Sequence, residues 1–238
     1  MTPLLLAARM REPASARLVT LLVARGADTD AADRLGRSPL HLAALAGNAA
    51  NTRVLLAAGA DVGRVDARRG ATAAHYAAAF ARVDAIRLFC AAEPEKVRDA
   101  RDAHGRSPLH WSALSAHRDW ASAGARDVVS ALLDAGANAR ARDKNGATPA
   151  HSAARLGADA FLDHLVERDG ADAATEDRRP LLHECDNKGV SPLDIIIARY
   201  RLSRLKGSFV LDPPEWTDLP RFGFAVSAPK FWLQEPKA

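Results

Sequence analysis

From Ser38 to Ala44 the chain reads Ser-Pro-Leu-His-Leu-Ala-Ala, a capping hydroxyl followed by a proline whose fixed φ suits a first helical turn. The alanines are small enough to let a second helix pack closely. Gly47-Asn48 then interrupts the helix, and the run from Asn51 to Ala58 is amphipathic, with Val54, Leu55 and Leu56 turned inward. Gly59 stops that second helix as a left-handed cap, and the polar stretch 61–70 reads as a turn. The pattern predicts two short antiparallel helices and a projecting turn between residues 33 and 65.

The same pattern returns along the chain. TPLLLAA begins at Thr2, SPLHLAA at Ser38, TAAHYAA at Thr72, SPLHWSA at Ser107, TPAHSAA at Thr148 and SPLDIII at Ser191, at separations of 36, 34, 35, 41 and 43 residues. A second signature trails it: GADTD at Gly26, GADVG at Gly59, GANAR at Gly136 and GADAA at Gly170. Self-similarity at this period marks a stack of repeats in which each unit buries its face against a neighbour.

These residues resemble the ankyrin repeat family, whose pattern Asp-x-x-Gly-x-Thr-Pro-Leu-His-x-Ala-Ala, then Gly, Leu-Leu and Gly-Ala-Asp is matched from Asp33 to Asp61, from Asp102 to Asn138 and from Asp143 to Asp172. The resemblance implies an all-α solenoid of about six helix-turn-helix units with projecting β-hairpin-like turns. Units are expected near 1–32, 33–65, 66–101, 102–142, 143–176 and 186–206, with an irregular extension over 207–238. Some units depart from the pattern. Unit one lacks a leading turn, and unit three has Ala73-Ala74 for Pro-Leu and ends in Ala91-Ala92-Glu93-Pro94. Unit four runs 29 residues from Ser107 to Gly136, against 21 from Ser38 to Gly59, which places an insertion carrying Trp120 around 117–125. A further insertion over 177–185 precedes unit six.

Composition changes this picture little. The 238 residues are 48% hydrophobic and 26% charged, as in folded globular chains. No apolar run reaches the roughly 18 residues of a membrane helix, and the start, MTPLLLAARMREP, lacks the basic region and cleavage site of a signal peptide. Two cysteines, Cys90 and Cys185, argue against a disulfide framework and for a reducing compartment, so an intracellular location, cytoplasmic or nuclear, is expected.

His41, His75, His110 and His151 share one repeat position. Stacked units set them roughly 10 Å apart, too far to converge on one zinc ion. The resemblance instead implies a structural hydrogen-bonding role, tying a helix start to nearby loops. No nucleophile elbow, Gly-rich phosphate loop or carboxylate pair stands out, so no enzyme activity, cofactor, metal or small-molecule substrate is expected.

The turns concentrate positive charge. Residues 31–37 carry +1 through Arg34, Arg37 and Asp33; 64–69 carry +2 through Arg64, Arg68, Arg69 and Asp66. Residues 98–106, with Arg106, add +1, and 140–144, with Arg140 and Arg142, add +2, so that the four turns exceed the +4 of the whole chain. In the family such turns form one rim of a concave surface, and a rim of arginines attracts an acidic partner. The residues just after each Ala-Ala (Leu45, Phe80, Leu114 and Leu156, with Arg9 and Met10 in unit one) are expected to floor that surface. Trp111 and Tyr76, which replace Leu42, either reach the floor or fill gaps between units. The expected function is recognition of another protein; an adaptor in a larger complex, such as a ubiquitin ligase, is the alternative. Nucleic-acid binding is weaker, because the turns carry Asp and lack interleaved aromatics.

The ends raise a separate question. Leu4, Leu5 and Leu6 have no preceding unit to cover them, which leaves partial exposure, pairing of chains, or a longer native protein. Ile195, Ile196 and Ile197 cannot all face one neighbour. The chain has four Trp, two Tyr and seven Phe, and six of these aromatics fall between Gly207 and Ala238. That segment is expected to cap Ile195 to Leu205.

Overall fold

The computed structural model describes residues 2–11, 15–119, 123–171 and 180–205. Helices come in pairs: α1 (Pro3–Arg9) and α2 (Ser15–Ala24), α3 (Pro39–Ala46) and α4 (Ala49–Ala57), α5 (Ala73–Ala79) and α6 (Val83–Ala92). After the short α7 (Pro94–Arg98) follow α8 (Pro108–Asp119) and α9 (Ala123–Asp134), then α10 (Pro149–Leu156) and α11 (Asp159–Ala171). A 3-10 turn (Leu181–His183) leads into α12 (Pro192–Leu205). The first helices α1, α3, α5, α8, α10 and α12 stack in one row; α2, α4, α6 and α9 stack in a second. No helix among the described residues is long and apolar enough to cross a membrane.

Local chemistry starts and stops these helices. Ser38, Thr72 and Thr148 each form a capping box with the histidine three residues on. Gly47 and Gly157 close α3 and α10 in the left-handed region, both at φ 76°. Unit four has Ala116 in the place of that glycine, and its first helix continues, α8 having 12 residues against 8 in α3. Longer helices thus take up the inserted residues on either side, 117–119 in α8 and 123–125 in α9; Trp120 lies outside the described residues. In unit five, α11 continues through Gly170, which the sequence pattern marks as a stop.

Alanines make the first row tight. Ala43, Ala44, Ala77, Ala78, Ala113, Ala153 and Ala154 are fully buried, and Leu40, Leu55, Ile86, Phe89, Leu109, Leu132 and Phe161 fill the space between the two rows. At the N-terminal end Leu4 and Leu5 are buried while Leu6 is 54% exposed, so one of the three leucines faces outward. The expected cap over 207–238 lies outside the described residues.

The turns are closed by side chains more than by strand pairing. In each, the Oδ1 of a leading aspartate accepts two backbone N–H groups: Leu35 and Arg37 on Asp33, Arg69 and Ala71 on Asp66, His104 and Arg106 on Asp102, Asn145 and Ala147 on Asp143, Lys188 and Val190 on Asp186. One isolated antiparallel bridge, Val65 with Thr72, is the strand-like pairing seen among the described residues. Successive turns are bonded to one another. The N–H of Ala67 donates to Leu35 O (2.9 Å), Ala103 to Arg69 O (2.7 Å), Lys144 to His104 O (2.9 Å) and Asn187 to Asn145 O (2.9 Å).

This contact explains the turn glycine. Gly36 has φ +76°, and a Cβ there would lie 2.4 Å from the nitrogen of Ala67 in the next turn. Gly36→Ala is therefore expected to cost about 2 kcal/mol of stability, combining left-handed strain with a backbone clash. A urea midpoint no lower than that of the parent would contradict it.

Candidate functional site

The four repeat histidines bind the units together. The N–H of Ser38, Thr72, Ser107 and Thr148 donates to Nδ1 of His41, His75, His110 and His151 at 3.2, 3.1, 3.0 and 3.0 Å. Nδ1 is thereby fixed as the acceptor, and Nε2–H donates to a carbonyl of the next unit: Ala71 (3.0 Å), Arg106 (2.9 Å), Ala147 (3.1 Å) and Val190 (3.0 Å). The structural role implied by the resemblance is the one observed. Burial disfavours the charged ring at all four positions and pushes the pKa of His75 and His110 down to about 4.

Four of the eight predicted rim arginines point inward, which corrects the expectation of a uniformly exposed basic ridge. The turn aspartate has one oxygen left after capping its backbone, and an arginine four residues on reaches it. Arg37 donates through Nε (2.8 Å) and Nη2 (2.6 Å) to Asp33 Oδ2, and Arg106 through Nε (2.7 Å) to Asp102 Oδ2. Burial alone would raise the pKa of Asp33 and Asp102. Their arginines and backbone donors outweigh that, and both carboxyls titrate below the usual range. Arg140 bridges Asp169 and Glu184, linking the end of α11 to the turn before unit six. Arg69 is only 8% exposed. Arg34 and Arg68 face solvent, Arg64 is half-buried, and Arg142 is exposed while it donates to Cys185 O (2.9 Å) and pairs with Glu184 (3.7 Å).

The apolar floor also divides. Leu45 and Leu114 are 9% and 7% exposed, while Phe80 and Leu156 are half-buried. The reason is register: Leu45 and Leu114 stand seven residues after the capping Ser38 and Ser107, whereas Phe80 and Leu156 stand eight after Thr72 and Thr148. One helical step is ~100° of rotation, enough to move a side chain from the packed face to the open one.

Of the two places open to Trp111, the floor and the gap between units, it takes the second. It is fully buried and fills the junction between units, its Nε1–H donating to Asp102 Oδ2 at 2.9 Å. Tyr76 does the equivalent one unit earlier, its hydroxyl donating to Asp66 Oδ2 at 2.5 Å. The rings of His75 and Tyr76 meet Trp111 edge-on, at 5.4 and 5.7 Å between centroids. The candidates left outside the packed junctions are therefore Arg34, Arg64, Arg68 and Arg142 on the turns, with Phe80 just after α5 and Leu156 at the end of α10. Sequence reasoning missed a further group at the first junction. Ser15 donates to Asn51 Oδ1 (3.0 Å), and Asn51 Nδ2 donates to the carbonyls of Ala7 (3.2 Å) and Ala8 (3.3 Å), closing the end of α1. The available signal was Asn51 and Thr52 at the start of α4, polar residues that are both buried there.

Comparison with known proteins agrees with this architecture. The family described as "Ankyrin repeats (3 copies)" matches residues 1–66, and "Ankyrin repeat" matches residues 104–144. The chain is 35% identical over 137 residues to the transient receptor potential channel pyrexia of Drosophila melanogaster, covering 58% of this chain and 13% of that protein. It is 31% identical over 158 residues to the neurogenic locus Notch protein of Drosophila melanogaster, covering 60% of this chain and 6% of that protein. It is 31% identical over 139 residues to the ankyrin repeat domain-containing protein SAT10 of Stachybotrys chartarum, covering 58% of this chain and 6% of that protein. The chain thus spans between 6% and 13% of these relatives, so their activities as whole proteins do not transfer to it. Ankyrin repeats generally mediate protein–protein interaction and are typically non-enzymatic. Repeat spacing, capping histidines, stacked turns and family matches converge: this chain belongs to the ankyrin repeat proteins, with an all-α solenoid fold.

Proposed function

We propose that the chain is a recognition module that holds a partner protein on the turn-bearing, concave side of the stack. What supports this reading is the exposure of Arg34, Arg68 and Arg142 on turns that are bonded in succession, with the half-buried Phe80 and Leu156 where the first helices α5 and α10 end. Apolar side chains give a partner area to bury, and arginines at its margin speed encounter and select acidic sequence. A nucleic acid is a poorer occupant, because the aromatics nearest the turns, Tyr76 and Trp111, are buried and offer no face for base stacking.

The test is capture of partners by the wild-type chain beside Arg34→Glu/Arg68→Glu/Arg142→Glu, read by quantitative mass spectrometry. Arg37, Arg106 and Arg140 are left intact because they hold the fold. Partners are expected to be lost from the triple variant and, for the wild type, to weaken as salt rises. Equal recovery from both chains, at all salt concentrations, would overturn the proposal.

A further inference from the structure

Numbered by the unit that it opens, the third turn, that of Asp66, is one residue longer than its neighbours, the second (Asp33) and the fourth (Asp102). Asp66 to Thr72 covers six steps, where Asp33 to Ser38 and Asp102 to Ser107 each cover five. In the shorter turns the residue before the cap is an arginine, Arg37 or Arg106, and it pairs with its own aspartate. In the third turn that place is Ala71, and the outer oxygen of Asp66 takes the Tyr76 hydroxyl instead. The extra length brings Arg69 inward.

Arg69 reaches a place without an anion to receive it. Its Cζ lies 5.8 Å from the centroid of the Trp111 ring, and Arg106 Cζ lies 5.6 Å from the same ring. Both nearby carboxylates are committed: Asp66 to two backbone N–H groups and Tyr76, Asp102 to two backbone N–H groups, Arg106 and Trp111. Nη2 of Arg69 is buried and has no hydrogen-bond partner among the described residues. Burial is the main cause that lowers the pKa of Arg69, and the charges of Arg68 and Arg106 add to it, while Tyr76 and Asp66 oppose the shift without cancelling it. A buried donor left unsatisfied is costly, and two like charges on one indole add to the cost.

We infer that Arg69 and Arg106, held against Trp111 between the third and fourth turns, form a receptor for one carboxylate of an acidic side chain on the bound partner. The carboxylate approaches from the side of Arg68, which is exposed next to Arg69. Arg69 turns its fork outward to meet it while the indole keeps the stem in place, giving a charge-assisted, two-pronged contact. The inference rests on the reading that this side of the stack takes a protein, and it adds where an acidic residue of that protein is read.

The probe is acetylated hexaglutamate, titrated into the full chain while the arginine Nε–H and tryptophan Nε1–H signals are followed by NMR. Saturable shifts of Arg69, Arg106 and Trp111 are expected. Arg69→Gln should weaken the peptide by about tenfold or more, the equivalent of one charge-assisted contact. Arg69→Lys, which keeps the charge and loses the fork, should fall between the two, and an unchanged amide spectrum in both variants shows that the fold is retained. Shifts confined to Arg34 and Arg142, or peptide binding indifferent to Arg69→Gln, would overturn the inference. So would a response to inorganic phosphate alone. If these fail while the triple variant still loses its partners, the protein-binding reading stands without this receptor. If the peptide binds here but capture is unaffected by the triple variant, the receptor stands without that reading.

Discussion

Trp111→Ala is expected to destabilise the chain by about 4 kcal/mol, the range found when a large aromatic is removed from a packed interior. The side chain is fully buried, and its loss would leave a cavity bordered by His75, Tyr76, Arg69 and Arg106. It would also take one donor from Asp102, a carboxylate that organises the fourth turn. A domain's whole stability is about 5–15 kcal/mol, so this one substitution removes a large part of it. Phe80→Ala provides the contrast, since a half-buried ring one helical step off the packed face should cost far less. Urea denaturation of both variants checks the pair. Similar losses would mean that Trp111 is not the interior residue described here.

Acid should weaken the stack before Asp33 and Asp102 titrate in the fold. His75 and His110 are neutral in the fold and titrate near 4, against an ordinary value of 6.5. Between those values the unfolded chain binds protons that the folded chain refuses, so stability falls as pH falls. At about 1.36 kcal/mol per pKa unit, each of the two rings withdraws about 3 kcal/mol by pH 4. His41 and His151 shift in the same direction. The carboxylates work in a different window. Asp33 and Asp102 titrate below the ordinary aspartate value of 3.8 in the fold, so their contribution is present above it and lost only in stronger acid. Urea midpoints at pH 7, 5.5 and 4.5 should decline steadily, and His110→Gln should flatten part of the decline while lowering stability at pH 7. A profile that is level across this window would mean that the rings are not excluded from protonation.

The residues that were legible in the sequence are those whose work is local. Ser38, Thr72 and Thr148 cap the helix that begins one residue later, and a hydroxyl before the first turn carries that information by itself. Gly47 and Gly157 stop helices for an equally local reason. The arginines were harder, because charge alone does not say which of them face solvent. Arg37 and Arg106 have their aspartate four residues upstream, a spacing open to inspection. Arg140 pairs with Asp169 and Glu184, which only stacking brings near. For Trp111 and Tyr76 the sequence left two places open, and the free oxygen of the turn aspartate decides between them. The division of the floor between Leu45 or Leu114 and Phe80 or Leu156 follows from counting residues after the cap, a step that grouping them by the Ala-Ala motif conceals.

The claim that partners bind the turn-bearing side is tested most directly by hydrogen exchange of the chain alone and in complex with a captured partner. Slower exchange is expected in the turns 33–37, 66–71 and 102–106 and around Phe80 and Leu156, with α4, α6 and α9 unchanged. Protection confined to α4, α6 and α9, with the turns exchanging as in the free chain, would place the partner on the opposite side and contradict the claim.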